Sequence, residues 1–93
     1  MNKSELIAAV ADETGLSKKD AQNAVNAVLN IIAEELAEGG RVAISGFAIF
    51  ETRERPERVA RNPQTGETLT VPATVVPKVK FGSTLKRLVA ESA

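Results

Sequence analysis

Four arginines, Arg53, Arg55, Arg58 and Arg61, recur at two- and three-residue intervals in one polar stretch of the chain. A guanidinium stays charged at any physiological pH, and its planar fork of donors matches the oxygens of phosphate or carboxylate. Taken alone, such a series reads equally well as an anion-binding edge or as an ordinary solvated face. Its continuation separates the two. The arginines run into Asn62-Pro63-Gln64-Thr65-Gly66, residue types that reverse a chain. Thr68-Leu69-Thr70-Val71 follows, alternating polar and apolar with the period of a strand. The whole reads as a long β-hairpin with a basic rim and a proline at its tip. Its first strand, Arg53 to Asn62, would reach about 33 Å at the rise of a strand. A two-stranded ribbon has no interior and is marginal in water by itself. It needs a surface to lie against, and the arginines make that surface anionic.

Other chemistry is scarce. The chain has no histidine and no cysteine, which removes the commonest general base, the commonest transition-metal ligand and any disulfide framework. No nucleophile–base pair stands out, so an enzyme is the weakest of the function classes, and no cofactor or metal is expected. Glu34, Glu35 and Glu38 cluster, but they read as a solvated helix end. No apolar run approaches the roughly 20 residues of a membrane span, and the N-terminus does not resemble a signal peptide, so a cytoplasmic protein is expected.

Twelve basic and twelve acidic residues give zero net charge, which argues against a generic nucleic-acid binder. The distribution argues otherwise. Residues 1–50 carry four basic and seven acidic groups; residues 51–93 carry eight and five. The arm therefore sits in the basic half, and the local field governs association more than the total does.

The elements that must hold the arm are legible from caps and periodicity. Asn2 with Glu5 is a capping-box pair opening a first helix with an apolar stripe of Leu6, Ile7 and Val10, which Gly15 ends. Ser17 with Asp20 opens a second helix, carrying Ala21, Ala24, Val25, Val28, Leu29, Ile32 and Leu36 inward up to Gly39-Gly40. Arg41 to Ile44 reads as a strand, Ser45-Gly46 as a turn, and Phe47 to Glu51 as the return strand, with Phe47 and Phe50 in the core on opposite faces. Pro56 and Pro72 suit only edge strands. Ser83 would cap a last helix with Leu85, Leu88 and Val89 inward. The order is ααββ-arm-βα in a single domain of 93 residues. Residues 1–40 form a helical base, 41–52 and 73–81 a sheet, 53–72 the arm and 83–91 the last helix. A body this small, with a strand apolar on both faces, is expected to complete its core by dimerising.

These residues resemble the bacterial HU / integration host factor family of histone-like DNA-bending proteins over essentially the whole chain. The resemblance is carried by Met1-Asn2-Lys3, by Gly15-Leu16-Ser17-Lys18-Lys19-Asp20, by Gly46-Phe47 with Phe50-Glu51, and above all by Ala60-Arg61-Asn62-Pro63-Gln64-Thr65-Gly66-Glu67. It implies an α+β fold: an intertwined homodimer with a helical base, a small antiparallel sheet and two long β-hairpin arms that clasp double-stranded DNA. A paralogue is the alternative partner, and the bacterial nucleoid is the implied location. By position, Arg53, Arg55, Arg58 and Arg61 would line the minor groove, with Asn62, Gln64, Thr65 and Gly66 at the tip. Pro63 would wedge between base pairs, and Lys3, Lys80 and Lys86 would meet flanking phosphates. The resemblance thus implies DNA bending and compaction with little sequence preference. The alternatives are a site-preferring bender like integration host factor, or a dimeric protein-interaction module. The chain departs from the family pattern at Ala48 (usually glycine), Val79 (usually phenylalanine), Phe81 (commonly proline) and Ser83 (commonly lysine). A missing lysine at Ser83, with Glu54 and Glu57 inside the arm, lowers the phosphate affinity to be expected.

Overall fold

A computed structural model describes all 93 residues and divides the chain into two compact units, residues 1–35 and 36–93.

The first unit is built by its caps. Helix α1, Lys3–Thr14, starts at Asn2, whose Oδ1 accepts the Glu5 N–H at 2.9 Å. It stops at Gly15, which adopts φ 77° and donates its N–H to the Ala11 carbonyl. That left-handed conformation is open to glycine without steric cost. Helix α2, Lys18–Ala37, starts at Ser17, whose Oγ accepts the Asp20 N–H at 3.1 Å. Only small or β-branched side chains, Ala11, Ala21 and Val25, are buried here. The stripe expected to be core is only partly covered: Ile7, Val10, Ile32 and Leu36 are half-buried, Leu6, Val28 and Leu29 are exposed, and Ile31 is 62% exposed. A single chain has too little surface of its own to cover two amphipathic helices.

In the second unit, strand β1, Val42–Ile44, pairs with β2, Ala48–Arg55, and β2 pairs with β5, Thr74–Phe81, all antiparallel. The β1–β2 hairpin turns over Ser45, Gly46 and Phe47, with Gly46 at φ 76°. Phe47 therefore belongs to the turn rather than to the return strand, and it is 49% exposed, so only Phe50 of the two phenylalanines is shielded within the chain. Strand β5 lies at the sheet edge, where Pro77 is tolerated opposite Thr52.

Beyond Arg55 the ribbon continues as a second sheet of β3, Arg58–Arg61, against β4, Thr68–Val71. The first strand of the arm is thus interrupted where a continuous one was expected. Pairing stops at Arg55↔Thr74 and resumes at Arg58↔Val71. Each of the two skipped cross-strand positions contains a proline, Pro56 opposite Ala73 and Pro72 opposite Glu57, and a proline has no N–H to give a ladder. The register is nonetheless the same on both sides of the gap.

Helix α3, Ser83–Ser92, has Gly82 rather than Ser83 as its N-cap, and no side chain caps it. Ser83 is displaced into the first turn because the backbone does the capping. The Leu85 N–H donates to the Gly46 carbonyl at 3.2 Å, and the Gly82 N–H donates to the Phe47 carbonyl at 2.6 Å. Leu85 is half-buried by this contact, but Leu88 and Val89, expected inward, are 61% and 62% exposed.

Candidate nucleic-acid interface

Alternation along paired strands sorts the sheet into two faces, because residues directly opposite each other in an antiparallel pair project to the same side. One face of β1-β2-β5 carries Val42, Ile44, Ala48, Phe50, Val79 and Phe81. The other carries Arg53, Arg55, Lys78 and Lys80, with Glu51 and the half-buried Ile49 and Val76 among them. Ala48, the one fully buried residue of this unit at 1% exposure, lies on the apolar side. The sheet is therefore amphipathic, with a cationic floor.

Arg53 and Arg55 share that floor. Arg58 and Arg61, three residues apart in β3, lie on opposite faces of the arm ribbon. Arg58 shares its face with Ala60, Leu69 and Val71, and Arg61 shares its face with Val59, Thr68 and Thr70. The four arginines do not form one row; two pave the floor and two flank the ribbon on either side. All four are exposed, and none is within ion-pair distance of a carboxylate. The one ion pair of the chain joins Lys80 Nζ to Glu51 Oε1 at 3.4 Å.

The tip is closed by its own polar groups. The Asn62 N–H donates to the Glu67 carbonyl at 2.9 Å, and the Asn62 carbonyl accepts the Gly66 N–H at 2.8 Å. Asn62 Oδ1 accepts the Gln64 N–H at 3.0 Å, and Thr65 Oγ1 accepts the Glu67 N–H at 3.3 Å. Gly66 takes φ 73°, the conformation that lets the chain return. Asn62 and Thr65 thus hold the loop in shape. Pro63 stands exposed at its end, with no N–H to leave unsatisfied.

Lys86 is exposed on α3, and Lys3 opens α1 in the first unit. Sequence reasoning passed over Lys78. The period-2 pattern Lys78-Val79-Lys80 was the available signal, since it places both lysines on one face of any strand.

The chain is similar to known proteins along nearly its whole length. The family model described as bacterial DNA-binding protein matches residues 1–90. The chain is 55% identical to the DNA-binding protein HU of Lactococcus lactis, over 91% of this chain and 93% of that one. It is 56% identical to the DNA-binding protein HU of Geobacillus stearothermophilus, over 92% of this chain and 96% of that one. Among solved structures it superposes on an Anabaena HU–DNA cocrystal structure with a TM-score of 0.88 and 42% identity, covering 97% of this chain and 98% of that one. A family model matched over residues 1–90, with relatives 55% and 56% identical over more than nine-tenths of both chains, places the chain in the HU family of bacterial DNA-binding proteins.

Proposed function

We propose that the protein is a histone-like architectural protein that binds double-stranded DNA through the minor groove, largely without sequence preference, and bends and compacts it. The observation that carries this reading is the arm itself: arginines free of carboxylate partners along a ribbon that ends in an exposed proline. The minor groove of B-form DNA is about 6 Å wide, too narrow for a ribbon to enter without opening it. Opening it bends the duplex away from the protein. Minor-groove architectural proteins, this family among them, lower that cost by inserting an apolar wedge that unstacks one base step. Pro63 is rigid, apolar and already positioned by Asn62 and Thr65. Arg58 and Arg61, on opposite faces of the ribbon, suit the two phosphate walls of one groove. Arg53 and Arg55 extend the contact onto the sheet floor, with Lys3 and Lys86 as flanking phosphate ligands.

The functional unit is a homodimer with two arms. Support for this comes from the burial pattern: no large side chain of the single chain is fully buried, while Phe81, Leu88, Val89, Leu29 and Ile31 stand open. A pair of arms brackets a duplex as one arm does not. No helix is long and apolar enough to cross a membrane, and a DNA-compacting role puts the protein in the bacterial nucleoid. Gel shifts of linear and nicked duplex across a salt series test the reading. About six to ten phosphate contacts per dimer predict a fall in affinity of roughly 10³–10⁵ between 50 and 200 mM salt, equal for unrelated sequences. The nicked duplex, which has already given up stacking, should bind more tightly. Salt-insensitive binding would overturn the proposal, and tight binding confined to one sequence would move it to a site-preferring bender.

A further inference from the structure

The cationic floor contains one carboxylate, and its placement has a consequence for which lysine touches DNA. Glu51 lies directly opposite Lys78 in the β2–β5 register, yet its Oε1 pairs with Lys80, diagonally across the strands, at 3.4 Å. The Glu51 side chain is 27% exposed and that of Lys80 60% exposed, so the carboxylate sits low in the floor and draws the ammonium toward it. Lys78 has no acidic partner, and neither have Arg53 and Arg55 on the same face.

Resting on the DNA-binding reading above, we propose that Glu51 withholds Lys80 from the phosphate backbone and leaves Lys78, with Arg53 and Arg55, as the phosphate-binding cations of the sheet floor. A phosphate that captured Lys80 would displace Glu51 and leave that carboxylate unpaired beneath a polyanion. The exchange swaps one single negative charge for another around the ammonium and adds a repulsion. Lys80 therefore stays with Glu51 in the complex and neutralises no phosphate. Glu51 is a positioning residue: it sets how many cations the floor offers, and with them the salt dependence of binding.

The test is the slope of binding affinity against salt, measured by fluorescence anisotropy on one labelled duplex from 50 to 200 mM salt, for the wild-type chain and for E51Q, K80Q, E51Q/K80Q and K78Q. Freeing Lys80 in E51Q should steepen the slope by about 0.9 per protomer, so that E51Q gains about twelvefold more affinity at 50 mM than at 200 mM in a two-armed dimer. E51Q/K80Q should return to the wild-type slope. K80Q frees Glu51 to engage Lys78 directly opposite, so the role of Lys80 is read only by comparing E51Q with E51Q/K80Q, whereas K78Q should flatten the slope by about 0.9 per protomer. An E51Q slope equal to wild type, or an E51Q/K80Q slope as steep as that of E51Q, would overturn this inference while leaving DNA binding intact. A wild-type chain that binds no duplex at either salt overturns the DNA reading, and this inference with it.

Discussion

Replacing Gly82 with alanine is the sharpest test of how the arm is anchored. Gly82 joins β5 to α3 and crosses the β1–β2 turn at backbone contact distance. A Cβ there would stand 2.5 Å from the Gly46 carbonyl carbon, 2.6 Å from its oxygen and 2.8 Å from the Phe47 nitrogen. Every one of these atoms is main chain, so no side chain can swing aside. The conformation, φ −73° and ψ 157°, suits any residue; space alone demands glycine. To restore an ordinary contact the two segments must part by nearly an ångström. That would stretch the 2.6 Å bond from the Gly82 N–H to the Phe47 carbonyl beyond useful length and weaken the Leu85–Gly46 bond. Overpacking of this kind costs about 1–3 kcal/mol and the lost hydrogen bond about 1 more, for a total near 2–4 kcal/mol. In a domain of this size that lowers the melting temperature by about 8–32 °C. Gly15→Ala is the control. Its Cβ would meet nothing within 4 Å, and only the left-handed conformation is strained, at about 1 kcal/mol. Thermal unfolding by circular dichroism at matched protein concentration should rank wild type above G15A and G15A well above G82A. A G82A variant melting within about 3 °C of wild type would refute the backbone-crossing argument.

Sedimentation at low micromolar concentration should show a dimer only, because the exposed apolar stripes need covering; a stable folded monomer would refute the two-armed unit. Pro63→Ala should keep the fold and most of the affinity but lose bending and the preference for nicked duplex. Energy transfer across an end-labelled duplex at saturation measures this, and equal bending by both proteins would reduce Pro63 to a turn residue. Arg58→Glu and Arg61→Glu should each weaken binding to all duplexes alike. Because the two side chains occupy opposite faces of the ribbon and share no partner, the double variant should lose the product of the two single factors.

The sequence alone determined every feature whose cause lies within a few residues. Asn2 and Ser17 start helices because a side-chain oxygen meets an N–H three positions on, and Gly15 and Gly66 sit where the backbone must turn left-handed. The tip and its proline follow from the same local chemistry. The arginines declare a charged ribbon whatever the rest of the chain does. Tertiary pairing decided what depends on partners far along the chain. The register that sets Ala48 against Phe81 is what gathers Lys78 and Lys80 on the face of Arg53 and Arg55. A slip of one residue would put the two lysines on the face opposite those arginines, and nothing local in the sequence forbids it. Phe47 reads as core by type, but the Gly46 turn needs it outside the ladder. Ser83 reads as a cap by type, yet the carbonyl of Gly46, thirty-seven positions earlier, does the capping instead. The Glu51–Lys80 pair is diagonal, so it exists only once β2 and β5 have met. Caps and turns are fixed by neighbours in sequence, whereas faces, ion pairs and backbone crossings are fixed by neighbours in space.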